Sequence, residues 1–136
     1  MQATAYFLFN GQCEAAFKFY EQCLRGKITA MMTHAGTPAE GQTPKEWLNK
    51  IMHARMNVGD GVLMGSDSPP EHYKTPQGFY VSLQIKEPAE ADRIFTALSE
   101  GGAVHMPIQK TFWAIRFGML VDKFGIPWMV NCEQTA

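Results

Sequence analysis

The chain has 136 residues, 46% of them hydrophobic, with nine Phe, nine Met and three Trp, and its formal net charge is −1. That length gives one domain, or two small halves sharing a core, and the composition excludes a disordered chain. Balanced charge without a run of Lys or Arg excludes an electrostatic footprint for nucleic acid or an anionic membrane, and no apolar stretch nears the roughly 20 residues of a membrane span.

The opening residues lack the charged and apolar regions of a signal peptide, so a cytoplasmic protein is expected. Residues 4–10 (TAYFLFN) read as a strand. Cys13, Ala16, Phe17, Tyr20 and Leu24 then recur at the spacing of one helix face, with Gly26 as the stop. Cys13 and Cys23 belong to that helix's apolar stripe and read as reduced core thiols. Together with Cys132 they make an odd set without C-x-x-C spacing, so no disulfide is expected.

Three further strands follow at residues 27–34, 49–58 and 61–67, interrupted by a Pro/Gly-rich segment (AGTPAEGQTPKEW) that is long for a hairpin connection and suits a lid or interface arm. A second Pro-rich stretch, residues 68–77, reads as a linker. Residues 78–85 (GFYVSLQI) form the next strand. A second helix runs over 88–100, with Ala91, Ile94, Phe95 and Leu98 on one face, Pro88 in its first turn and Gly101-Gly102 after it. Strands at 103–108, 113–121 and 126–132 complete the chain.

NVGDGVLMGSD and LVDKFGIPWMVNC thus say the same thing twice: apolar strand, Gly-containing turn, apolar strand, polar stop. The chain is read as one domain of two βαβββ repeats, about 1–67 and 78–133, in the α+β class. Each unit is expected to lay a helix on one face of a curved mixed sheet. The other face is left as a hollow for a ligand or a dimer partner.

In 51–58, Met52, Ala54, Met56 and Val58 alternate with Ile51, His53, Arg55 and Asn57. If the apolar set packs on the helix, His53 and Arg55 face the hollow, as a titratable group and an anion clamp; the alternative is a solvated or dimer-contact face. Arg116 alternates with Phe117, Met119 and Val121, which gives either a cavity shared with Arg55 or a salt bridge to Asp122 or Asp67. Tyr6 and Tyr80 occupy matching places on the two first strands, with Ser82 and Gln84 extending the polar face. Trp113 either stacks on a flat ligand or joins the core, Trp128 is a core residue, and Trp47 could anchor a dimer. His34, His72 and His105, at strand ends or in a Pro-rich loop, read as structural. Asp67 and Asn131 read as turn caps. There is no G-x-S-x-G elbow, P-loop or H-E-x-x-H.

The stretches YFLFNGQCEAAFKFYEQCLRG, GVLMGSDSPP and LSEGGAVHMPIQKTFWAIRFGMLVDKFGIPWMVNC resemble the PhnB-like branch, also called the demethylubiquinone methyltransferase-like domain, of the vicinal oxygen chelate superfamily. That superfamily groups glyoxalase I, bleomycin-resistance proteins and extradiol dioxygenases. The resemblance implies a homodimer with a small-molecule cavity and puts Phe7 and Phe9 inward, against the periodicity that favours Tyr6. Metal-dependent members take one His or Glu ligand from each of four strands. The corresponding positions here fall near Ala5, Met64, Phe79 and Met129, and a slip of one residue brings in Tyr6, Leu63 or Gly65, Tyr80, and Trp128 or Val130. Ile126 stands where the branch often shows His. No cofactor is expected, and the leading reading is a metal-free small-molecule-binding protein. Its rivals are a metal-dependent lyase, isomerase or dioxygenase with non-standard ligands, such as His53 with Asp67 and a partner-chain residue, and a structural dimer without ligand. A methyltransferase is not supported by any Gly-rich nucleotide loop followed by a ribose-binding acid.

Overall fold

The computed structural model describes residues 1–133. The chain divides into two compact units, one over Met1–Lys74 and the other from Thr75 onward, and each repeats the order strand, helix, three strands.

The first unit comprises β1 (Ala5–Phe9), α1 (Cys13–Leu24), β2 (Lys27–Thr33), β3 (Ile51–Val58) and β4 (Gly61–Asp67). Its sheet runs β1-β4-β3-β2, with β1 parallel to β4 and the other pairs antiparallel. Helix α1 exists because its buried residues, Cys13, Ala16, Phe17, Tyr20, Cys23 and Leu24, form one stripe. That stripe meets Phe7 and Phe9: the Phe9 and Phe17 rings stand edge-on at 6.2 Å, and Phe7 and Tyr20 at 6.1 Å. Each such side chain removed from water contributes about 1.5–3 kcal/mol. The helix ends with Arg25 in the left-handed region (φ 51), one residue before the expected stop at Gly26.

The start of α1 is held from a distance. Gln12 provides no side-chain cap; instead the buried Asp67 carboxylate accepts the N–H of Cys13 and, with its other oxygen, the N–H of Ile51, both at 2.8 Å. A residue expected to cap a local turn therefore ties α1, β3 and β4 together. The Pro/Gly-rich segment between β2 and β3 contains two short 3-10 turns, at Glu40–Gln42 and Lys45–Trp47.

The second unit comprises β5 (Val81–Gln84), α2 (Pro88–Ser99), β6 (Ala103–Gln109), β7 (Ala114–Val121) and β8 (Pro127–Glu133), in a sheet ordered β5-β8-β7-β6 with β5 parallel to β8. Strand β5 is shorter than expected, since Gly78 turns the chain through a left-handed conformation (φ 88) and Phe79 and Tyr80 precede the ladder. Trp128 is fully buried, and its indole N–H donates to Asp122 at 2.8 Å. The same carboxylate accepts the N–H groups of Phe124 and Ile126, closing the β7–β8 turn.

Both sheets seat their helix by the same means. A Cβ on Gly65 would lie 2.9 Å from the Phe17 ring, and one on Gly118 would lie 2.5 Å from the Phe95 ring. The absent side chain mid-strand admits the helix aromatic, and it marks which face of each sheet carries the helix.

Candidate functional site

On the first sheet, the face opposite α1 carries a cluster of functional side chains. Phe7 and Phe9 are buried under α1 while Tyr6 and Leu8 are about half exposed, so the periodicity gave the orientation of β1 and the inward Phe7 and Phe9 implied by resemblance point to the helix. Tyr6 pairs with Met64, and Met64 pairs with Arg55. These three lie in one row across β1, β4 and β3, because directly paired residues share a face. His53 sits two residues along β3 on the same face, and its Nδ1 lies 3.1 Å from the Tyr6 hydroxyl, the rings stacked at 5.8 Å. With the hydroxyl as donor, Nδ1 accepts and the ring proton resides on Nε2. Arg55 is exposed, and among the described residues its guanidinium has no hydrogen-bond or ion-pair partner.

The second unit does not repeat this arrangement. Ser82, not Tyr80, pairs with Met129, so Tyr6 and Tyr80 do not match as the sequence suggested; Tyr80 stands two residues ahead of the corresponding place. Tyr80 instead meets His105, its hydroxyl 3.1 Å from Nδ1. His105 was read as structural. It lies at an irregularity in the β6–β7 pairing between Val104 and Met106, where alternation alone misplaces a side chain. In the second unit Met106, Met119 and Met129 are paired side by side across β6, β7 and β8.

Arg116 leaves the candidate cluster. Its Nε donates to Asp92 of α2 at 3.1 Å, placing it on the helix side with Gly118, whereas Arg55 is on the side away from α1. The two arginines therefore cannot play equivalent roles, and the salt bridge goes to neither Asp122 nor Asp67, whose carboxylates serve backbone and indole N–H groups. Trp113 is 45% exposed and packs edge-on against Phe117 at 5.2 Å and the highly exposed Phe112 at 4.8 Å. Trp47 lies beneath the Lys50 ammonium, 5.9 Å from its ring centre. A separate cleft of about 390 Å³ opens beside the start of α1, between Gln12, Lys18, Asn49 and Lys50; Lys50 is engaged there with the Gly11 carbonyl at 3.0 Å.

On the open faces, the positions where the resemblance implies metal ligands offer hydroxyls and thioethers. Ala5 shares the helix side with Phe7, so Tyr6 is the β1 residue on the face of Met64, and Ser82 is its counterpart beside Met129. Hydroxyls and thioethers are poor ligands for a divalent ion. Asp67 is turned toward α1, where its two oxygens accept the N–H groups of Cys13 and Ile51, on the other side of the sheet from His53. Among the described residues no three His, Cys, Asp or Glu side chains come together as a ligand set.

The family pattern described as 3-demethylubiquinone-9 3-methyltransferase matches residues 1–131. The chain belongs to this family. Protein YjdN of Escherichia coli (strain K12) is 30% identical over 96% of the chain and 95% of its own length. The crystal structure of protein PA1353 from Pseudomonas aeruginosa is 47% identical, with 99% of each chain covered and a TM-score of 0.90. A putative 3-demethylubiquinone-9 3-methyltransferase, PhnB protein, from Bacillus cereus shares the fold at 22% identity and a TM-score of 0.80, over 97% of this chain and 99% of its own. So does a glyoxylase/bleomycin resistance protein/dioxygenase domain from Frankia sp. EAN1pec, at 12% identity and a TM-score of 0.65, over 98% and 95%. This is a PhnB-like domain with the vicinal oxygen chelate fold, as the resemblance implied. The turn from β1 into α1 is only Asn10-Gly11-Gln12.

Proposed function

We propose that this protein binds a small molecule on the face of the first sheet opposite α1, and does so without the His/Glu metal quartet of its metal-dependent relatives. The observation that carries this reading is the Tyr6–His53 hydrogen bond beside a free Arg55 on the face away from α1. Polar groups that converge on an otherwise apolar surface are the usual makings of a ligand site. Tyr80 with His105 forms a second polar pair in the other unit. Methyl transfer is not part of the proposal, since the short β1–α1 turn offers no Gly-rich cradle for a nucleotide-bearing donor.

The protein works as a homodimer. Leu8, Met32, Phe79, Val104, Phe112 and Trp113 are all exposed, and apolar surface of this kind is commonly covered by a second copy. Cytoplasmic residence suits the three buried, unpaired cysteines. No helix is long and apolar enough to cross a membrane.

Divalent metal per protomer, measured before and after dialysis against a chelator, tests the metal-free part. Stoichiometric metal lost to chelator would overturn it. Amide shifts on adding small ligands test the site: movement at residues 53–55 and 64 supports it, and a protein that remains a dimer yet meets no ligand there would be a structural dimer instead.

A further inference from the structure

The charges of the first sheet are one-sided. Its four strands contain a single acidic residue, Asp67, and that carboxylate is buried on the α1 side with both oxygens engaged. The strands contain two cations, Lys27 and Arg55. Lys27 pairs with Asn57, toward one end of β3, while Arg55 sits at the β3 end of the row Tyr6–Met64–Arg55. The open face therefore combines one unpartnered guanidinium, an imidazole whose Nδ1 is taken by Tyr6, and the apolar surface of Met64, Leu8 and the exposed Met32.

Resting on the binding reading above, we infer that the ligand is a carboxylate with an aromatic body. The guanidinium fork matches a carboxylate in geometry and satisfies it through two parallel N–H donors. None of the four strands contributes a carboxylate on this face to compete for it or repel the incoming anion. One free guanidinium balances one negative charge, whereas a phosphoryl dianion would leave charge uncompensated. Adjacent strands lie about 4.8 Å apart, so the row from Arg55 across Met64 to Tyr6 spans about 10 Å, room for a head group and a two-ring body. Thioethers and an aromatic ring are good neighbours for a flat body.

The test is calorimetry and amide-shift titration of the full chain with 2-naphthoate, its neutral analogue 2-naphthamide, and phenyl phosphate. The expected result is naphthoate binding at least about tenfold tighter than the amide, as for loss of a charge-assisted pair. Arg55→Gln, at an exposed position where the fold is retained, removes that preference. Equal binding of acid and amide, or indifference to Arg55→Gln, would overturn the carboxylate assignment while leaving the binding face intact. Tighter binding of phenyl phosphate would overturn it in favour of a phosphoryl head. Absence of any shift on this face with all three probes would sink both this inference and the binding reading.

Discussion

Asp67, the last residue of β4, accepts the backbone N–H of Cys13, the first residue of α1, at 2.8 Å. Its second oxygen takes the N–H of Ile51. Removing this carboxylate strands two buried donors, each costing about 1–3 kcal/mol when left unmade. Asp67→Ala is expected to lower stability by about 2–4 kcal/mol in urea unfolding. A loss under about 0.5 kcal/mol, the range of an ordinary surface change, would mean that the clasp is not formed.

The seating of the two helices is tested at Gly118. A methyl group there would meet the Phe95 ring at 2.5 Å and the Ile108 Cα at 3.0 Å. Gly118→Ala is expected to destabilise by about 1–3 kcal/mol, as overpacking does. Adding Phe95→Leu should recover part of the loss, and strict additivity of the two changes would show that they do not touch.

Cys13 gives a pH signature. Burial pushes its thiol pKa up from 9.0, well beyond the ordinary thiol range, with the Asp67 and Glu14 carboxylates adding to the shift. The folded state thus keeps the proton while the unfolded chain releases it above about pH 9. Stability is therefore fully present below that pH and falls above it, by up to about 1.4 kcal/mol per pH unit from this group. Cys13→Ala should flatten that part of the alkaline slope, which unfolding curves at pH 8 and 10 would reveal. In the folded protein the thiol should resist alkylation.

Arg116 and Asp92 make a contrasting case. Their side chains are 36% and 46% exposed, where water screens the pair and the net contribution is at most about 0.5 kcal/mol. Asp92→Asn is expected to change stability by less than that and to leave ligand shifts at residues 53–55 untouched. A change in those shifts would connect the helix-side pair to the opposite unit's open face, contrary to the assignment of Arg116 to structure.

The elements were legible because their signals were local. The stripe from Cys13 to Leu24 gave α1 with both bounds, and Pro88 gave the start of α2. Side-chain direction was legible in β3, where Ala54 and Met56 are buried while Arg55 and Asn57 are exposed. It failed in β7. Phe117, Met119 and Val121 are apolar, but Gly118 and Leu120 on the other side are the residues that face α2, so two apolar faces left alternation without an arrow. Gly118 was the available signal: a mid-strand residue without a side chain, set against a helix bearing Phe95. The Tyr80–His105 contact was not legible for a different reason, since the irregular β6–β7 pairing is set by tertiary geometry. Asp67 looked like a turn cap because its partners at Cys13 and Ile51 are distant in the chain.

The parallel pairing of β1 with β4 brings Ala5 beside Leu63, across about 60 residues of intervening chain. On a ribosome, the first unit cannot finish its sheet until β4 has emerged, whereas the β3–β4 hairpin needs only its own two-residue turn. Loop closure of that length is slow relative to hairpin formation. The order of synthesis therefore makes the aromatic face of β1 wait, exposed, for the strand that ends in Asp67. A nascent chain stalled before that aspartate would hold a helix with no clasp at its start.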